Sequence, residues 1–173
     1  GGFEEGTITI ADVYKIYQYD NTLYVLEITG DILRRALEHN AQYWNQLELQ
    51  KPNDVTIESL KSGNTRDYNW DMYSGVDYVL DLTKPIGQRV VYLELDSQPI
   101  KPDQKLVLAI NNYRAGGGGG YSMFKEGKIL WQSQSVIRDF MVDYIYETQI
   151  LDPDDYYNEN WHLIPEWIQD LPK

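Results

Sequence analysis

Residues 22–47 read TLYVLEITGDILRRALEHNAQYWNQL, and the change of pattern at Gly30 decides how the chain is organised. Before the glycine, β-branched and aromatic side chains dominate, which suits a strand. After it, Ile32, Leu33, Ala36, Leu37, Tyr43 and Trp44 recur largely at three- and four-residue spacings, while Arg34, Arg35, Glu38 and His39 take the other side. That spacing predicts an amphipathic helix over residues 31–47 packed on another element.

Outward from this unit, residues 48–66 are polar with a proline and a glycine and read as a long excursion rather than a domain boundary. Three strands are expected in VDYVLDL, RVVYLEL and KLVLAIN, separated by the turn-prone TKPIGQ and DSQPIKPDQ, as a meander or as neighbours. A second helix is expected from Ser135 to Thr148, where Val136, Ile137, Phe140, Met141, Tyr144 and Ile145 repeat at helical spacing and Ser133 or Ser135 can cap the start. The tail from Asp152 carries two of the five tryptophans and is expected to pack down. Strand, helix, several strands, helix is an α+β order, with helices covering sheet faces.

The totals narrow the chemistry. A chain of 173 residues fits one domain, spanning residues 1–173. Zero cysteines remove disulfides, zinc-thiolate sites and thiol nucleophiles. Twenty-seven acidic against fifteen basic residues give a net charge of −12. That charge repels nucleic-acid polymers, whose binding depends on basic patches. No apolar run approaches the roughly 20 residues that cross a bilayer. The opening GGFEEGTITI has no initiator Met and no signal-peptide pattern, and reads as the start of a fragment.

NNYRAGGGGGYSMF, Asn111–Phe124, is the most unusual stretch. Five consecutive glycines cost backbone entropy and must have a use: a linker, a phosphate cradle, or a loop where missing Cβ atoms permit close approach. The run ends in Tyr121-Ser122-Met123 and lacks the Lys-Ser/Thr of a phosphate loop. Its flanks look structured, which disfavours a linker and leaves close approach. The only histidines, His39 and His162, read as a solvated and a partly buried structural residue. Asp152, Asp154 and Asp155 lack the glycine and terminal glutamate of a calcium loop and read as a solvated turn. Of fifteen tyrosines, Tyr19 and Tyr113 stand apart at strand ends, each near an asparagine. Two such rings can sandwich a planar heterocycle, at about 1–3 kcal/mol per base, with amides reading its edge. The bland alternative, that both rings merely pack, stays open on the residues alone.

At these residues the sequence resembles the C-terminal domain of the bacterial 5′-nucleotidase superfamily, nearest its 2′,3′-cyclic-nucleotide 2′-phosphodiesterase/3′-nucleotidase branch. ITIADVYKIYQYDNTLYVLEITGDILRRALEHNAQYWNQ, YNWDMYSGVDYVLDLTKPIGQRV and LAINNYRAGGGGGY carry the resemblance. It implies a four-layer α-β-β-α domain with mixed sheets, and a base stacked between Tyr19 and Tyr113. It further implies that Asn21 hydrogen-bonds the base, with Asn112, Arg114, Tyr68, Asn69, Gly117, Gly118 and Gly119 around it. The loop departs from the Gly-Gly-Asp-Gly-Tyr of 5′-nucleotidases, with Gly119 at the aspartate's place.

Within this chain the resemblance implies no catalytic residue and no cofactor, so the fragment alone should be inactive. The hydrolysis, with two divalent metal ions, falls to an absent N-terminal metallophosphoesterase domain. Nucleosides, 3′-nucleotides and 2′,3′-cyclic nucleotides are the implied ligands, and nucleotide salvage outside the cell, in the cell wall or in the periplasm the implied setting. The competing expectation is a non-catalytic aromatic-rich module that binds a glycan or a protein.

Overall fold

A computed structural model describes residues 2–3 and 5–171. Helix α1, Ile10–Ile16, opens on a capping box in which Thr9 and Asp12 satisfy each other's backbone N–H groups. A loop over residues 17–21 leads to β1, Thr22–Thr29, and α2 follows at once over Gly30–Asn40. Thr29 ends the strand and caps the helix, its hydroxyl accepting from the Ile32 N–H at 3.3 Å. Any Cβ at Gly30 would run into the Lys101 carbonyl, so only glycine fits this strand-to-helix corner.

Helix α2 is shorter than the expected 31–47. After Asn40 the chain tightens into a 3₁₀ turn over Ala41–Tyr43, and Trp44 becomes extended to bridge with Lys61. The polar face of α2 also makes contacts. Arg34 donates to the Val90 carbonyl at 2.6 Å, and the Glu38 carboxylate accepts from the N–H groups of Gly87, Arg89 and Val90. Those side chains fasten the helix to a strand instead of facing water.

The excursion over 48–66 holds one short helix, α3, Ile57–Leu60. The strands β2, Asp77–Asp81, β3, Val90–Leu95, β4, Gln98–Pro99, and β5, Lys105–Asn111, come next. They are followed by a single-turn helix α4, Asn112–Ala115, then β6, Lys128–Val136, α5, Ile137–Thr148, and β7, Trp161–Ile164.

Two sheets result. One is antiparallel with order β5-β1-β6; the other has order β4-β3-β2-β7, in which β7 runs parallel to β2. The three expected strands exist, but only β2 and β3 are neighbours, since β5 crosses to the other sheet and pairs with β1.

Strands β6 and β7 have no signal in the sequence that marks them. Ser133 alone is buried along β6, so no alternation develops, and β7 is four residues inside the proline-punctuated tail. The expected serine cap on the second helix is absent: Val136 is the N-cap, and the Ser133 hydroxyl is spent on Leu23 N–H and the Ser135 carbonyl. The tail packs down as expected, with Leu163 and Ile168 buried and Trp161 and Trp167 against the core.

The core lies where the apolar face of α2 meets Leu26 and Ile28 of β1, Tyr78, Leu80, Val90 and Leu93 of the second sheet, and Tyr121 and Phe124. Truncating a side chain as buried as Leu37 costs about 2–5 kcal/mol.

Candidate functional site

Antiparallel pairing of β1 with β5 sets Leu23 opposite Asn111, so the start of one strand lies beside the end of the other. Strand ends carry loops, and these two ends carry the stretches singled out above. The Asn111 side chain caps α4 by accepting from the Arg114 N–H at 2.8 Å. The Asn112 side chain reaches across and accepts from the Thr22 N–H at 3.1 Å. Asn112 is thereby a tie between the two loops, and its NH₂ group has no partner among the described residues.

Arg114 is the hub of the site. It is only 5% exposed. Its Nε and Nη2 form a fork on the Asp71 carboxylate at 2.8 and 2.9 Å, Nη2 also donates to Asn69 Oδ1 at 3.1 Å, and Nη1 donates to the Gly118 carbonyl at 3.2 Å. Four of its five N–H donors are engaged, so it serves chiefly to hold the loop. The guanidinium also lies over the Tyr121 ring at 4.6 Å and the Tyr113 ring at 5.6 Å. Burial pulls its pKa down, but the Asp71 carboxylate outweighs that and the net shift is upward.

The close-approach reading of the glycines acquires definite partners. A Cβ on Gly118 would sit 2.5 Å from the Tyr113 ring, and one on Gly120 would sit 2.7 Å from His39 Cε1. On Gly119 it would strike Arg114 Nη1, and on Gly117 the Lys125 side chain at 2.6 Å. Gly117 and Gly119 also have φ of +84° and +69°, in the region that favours glycine. The loop is bare chiefly so that it can wrap its own neighbours.

Behind the loop is a polar cavity of about 410 Å³, lined by His39, Asn40, Asn64, Thr65, Arg66, Tyr68, Asn69, Gly119 and Tyr121. His39 is half-buried rather than solvated: Nε2 lies 2.9 Å from the Gly119 carbonyl, and its ring packs edge-on to Tyr121 at 4.5 Å. Asn40 closes the floor. Its amide donates to the Asp71 carbonyl at 2.6 Å, and its Oδ1 accepts from the Asp71 N–H and the Tyr121 hydroxyl. Burial, then the Asp71 charge, raises the Tyr121 pKa and keeps that hydroxyl a donor.

On the other side of Asn112, Asn21 donates its amide to the Tyr17 hydroxyl at 3.0 Å, and its side-chain Oδ1 has no partner among the described residues. Tyr19 packs edge-on to Tyr17 at 6.4 Å and is 60% exposed; Tyr113 is 53% exposed. The structure therefore ties Asn112, Tyr113, Arg114, Gly118, Gly119 and Asn69 into one group, with Tyr68 beside it in the cavity. From the other loop, Thr22 joins that group through its bond to Asn112, and Asn21 and Tyr19 precede Thr22 by one and three residues.

Asp71, Asn40 and Arg138 were not found from sequence. They are polar residues in ordinary-looking contexts, and only their burial or partners mark them. His162 is exposed on β7 rather than partly buried. Asp152 accepts from the Asp154 N–H in a 3₁₀ turn. Among the described residues no group of three His, Asp or Glu side chains could hold a metal ion. Nor is any helix there long and apolar enough to cross a membrane.

Residues 1–126 match the family described as 5′-nucleotidase, C-terminal domain. The chain belongs to this family. It is 33% identical over 92% of its length to the trifunctional nucleotide phosphoesterase protein YfkN of Bacillus subtilis, covering 11% of that protein. It is 30% identical over 93% of its length to a 2′,3′-cyclic-nucleotide 2′-phosphodiesterase/3′-nucleotidase of Haemophilus influenzae, covering 26% of it. Among solved structures, a Staphylococcus aureus protein described as a 5′-nucleotidase, in complex with α-ketoglutarate, superposes with a TM-score of 0.68 at 30% identity. That match covers 80% of this chain and 27% of the other. The chain thus spans about a tenth to a quarter of the length of these relatives. Its α+β architecture with two sheets is that of the 5′-nucleotidase C-terminal domain, and β6, α5 and β7 continue it beyond the matched residues.

Proposed function

We propose that this chain is the single, nucleoside-binding domain of a longer phosphoesterase of the cyclic-phosphodiesterase/3′-nucleotidase branch, and that it holds the base between Tyr19 and Tyr113. The carrying observation is a pair of tyrosines left more than half exposed on adjoining strand-end loops, one of them backed by a buried, nearly saturated arginine. A ring kept in water at such a place loses nothing on packing and gains a face for a ligand. Asn21 offers its side-chain Oδ1 to the base edge and Asn112 its NH₂ group. Asn69, Tyr68 and the glycines bound the neighbouring cavity, and Arg114 acts by fixing the loop and the Tyr113 ring.

In the whole protein, this domain positions the nucleotide and a metallophosphoesterase domain cleaves it. Two divalent metal ions bound in that domain would supply the activated water. Positioning by itself is worth several kcal/mol, because a bound reactant has already lost its freedom of encounter. The acidic surface is compatible with this, since stacking rather than charge holds a nucleoside. The parent's place is the cell wall, periplasm or medium, in nucleotide salvage, and the chain alone hydrolyses nothing.

Calorimetric titration of the chain with adenosine and 3′-AMP tests this reading. Binding of both is expected, with Tyr19→Ala and Tyr113→Ala each weakening it by about five- to a hundredfold, the equivalent of about 1–3 kcal/mol. Binding that neither variant changes overturns the stacking assignment. Binding of a glycan that saturating adenosine leaves intact favours the aromatic-module alternative.

A further inference from the structure

The two tyrosines are held by different means. Tyr113 is supported by the Arg114 cluster, but the loop that carries Tyr19 has no comparable set of neighbours among the described residues of the family match. Its support comes from Arg138, in the first turn of α5 and outside residues 1–126.

Arg138 is 7% exposed although it is a surface-type residue. Its Nη1 donates to the Tyr17 carbonyl at 3.2 Å and to the Tyr19 carbonyl at 3.4 Å, and its Nη2 donates to the Asp20 carboxylate. The guanidinium lies over the Tyr14 ring at 4.1 Å, and the neighbouring Ile137 N–H donates to the Asn21 carbonyl at 2.8 Å. One turn of helix thus holds the backbone at Tyr17, Tyr19 and Asn21 and a side chain at Asp20. A planar fork can meet two carbonyls and a carboxylate together, whereas an ammonium is a single point charge.

We infer that Arg138 is a positioning residue for nucleoside recognition: by gripping the carbonyls of Tyr17 and Tyr19 it aims the Tyr19 ring at the base. This rests on the proposed base stacking by Tyr19. The Tyr19 carbonyl and ring leave nearly adjacent backbone atoms, so fixing one restricts the direction of the other. Asp20 is the lesser partner, because its side chain is 79% exposed and water can replace it.

The test is a double-mutant cycle on the chain by adenosine calorimetry, with Arg138→Met, Tyr19→Ala and the double variant, and with hydrogen exchange of the 17–21 amides alongside. Arg138→Lys, which keeps the charge and stem, is the milder variant should Arg138→Met fold poorly. The expected result is a roughly tenfold loss for Arg138→Met, little recovery in Arg138→Lys, faster exchange at 17–21, and no further loss once Tyr19 is alanine. Asp20→Ala should lose no more than about twofold. An affinity that neither Arg138 variant lowers overturns the inference, and so does an equal loss with and without the Tyr19 ring. Adenosine that fails to bind the unaltered chain overturns the functional reading itself, and the inference with it.

Discussion

Two buried arginines stand behind the candidate site, and they are built differently. Arg114 sits within the glycine loop's own neighbourhood, forked onto Asp71, bonded to Asn69 and Gly118, and stacked on Tyr121. Arg138 holds carbonyls of a surface loop, and its one charged partner, Asp20, is exposed. The first cluster joins three segments, α4 and the stretches at 69–71 and 118–121, and reaches the core through Tyr121. The second joins the first turn of α5 to the Tyr14 ring of α1 and to the 17–21 loop, with an exposed carboxylate. The Tyr113 side is thus held within the fold, whereas the Tyr19 side is held at the surface and should loosen without unfolding the domain.

The largest effect that would break this contrast lies at Asp71. Asp71→Ala leaves Arg114 buried without its carboxylate, and should cost about 3 kcal/mol, since removing one partner of a buried pair strands the other. For a chain of this size the melting temperature should fall by about 6–12 °C in a thermal scan. Arg138→Met, by contrast, should lower affinity before stability; a larger melting shift from Arg138→Met than from Asp71→Ala would reverse the ranking of the two clusters.

The glycines sharpen the same contrast. Gly119→Val combines a left-handed backbone with a Cβ driven into Arg114, and should destabilise by about 2–3 kcal/mol. Gly118→Ala has no such backbone demand; its Cβ meets only the half-exposed Tyr113 ring, which can swing away. It should weaken adenosine binding more than it shifts melting. Equal losses of stability in both variants would make the whole loop a matter of folding.

The smallest expected effect is acid sensitivity at the periphery. Hydrogen bonds from Tyr43 and then Lys61 lower the Asp67 pKa below 3.8, and Arg35 lowers that of Glu126 below 4.5. Groups depressed on folding add stability above their unfolded pKa values and lose it as pH falls through the folded ones. Melting temperature should therefore be flat from pH 7 to about 5 with respect to these groups and fall below about 4. Glu126→Gln should reduce that fall slightly.

Much of the architecture was legible because periodicity is local. The strand before Gly30, the helix after it and the strands at 77–81, 90–95 and 105–111 all follow from spacing within a few residues of each position. Sheet order was not legible: β5 leaves its sequence neighbours for β1, a choice made by long-range packing. Strand β6 was missed because a strand with almost no buried face shows no alternation.

The site divides in the same way. Tyr19, Tyr113 and the glycines announce themselves by context, but Asp71 and Asn40 act through buried hydrogen bonds to segments about 30 to 80 residues away in the chain. Arg138 contacts a loop about 120 residues earlier. No local pattern could reveal that. Even the glycine run was only half read: close approach was evident, but the bodies approached are Tyr113, Arg114, His39 and Lys125.

The proposed binding mode requires that one base lie between two tyrosines from adjoining loops. It is read from the nuclear Overhauser contacts between the adenine H2 and H8 protons of bound adenosine and the tyrosine ring protons of the chain. Contacts to both Tyr19 and Tyr113 in the same complex are expected. Contacts to Tyr68 and His39 in the polar cavity, with none to Tyr19, would contradict it.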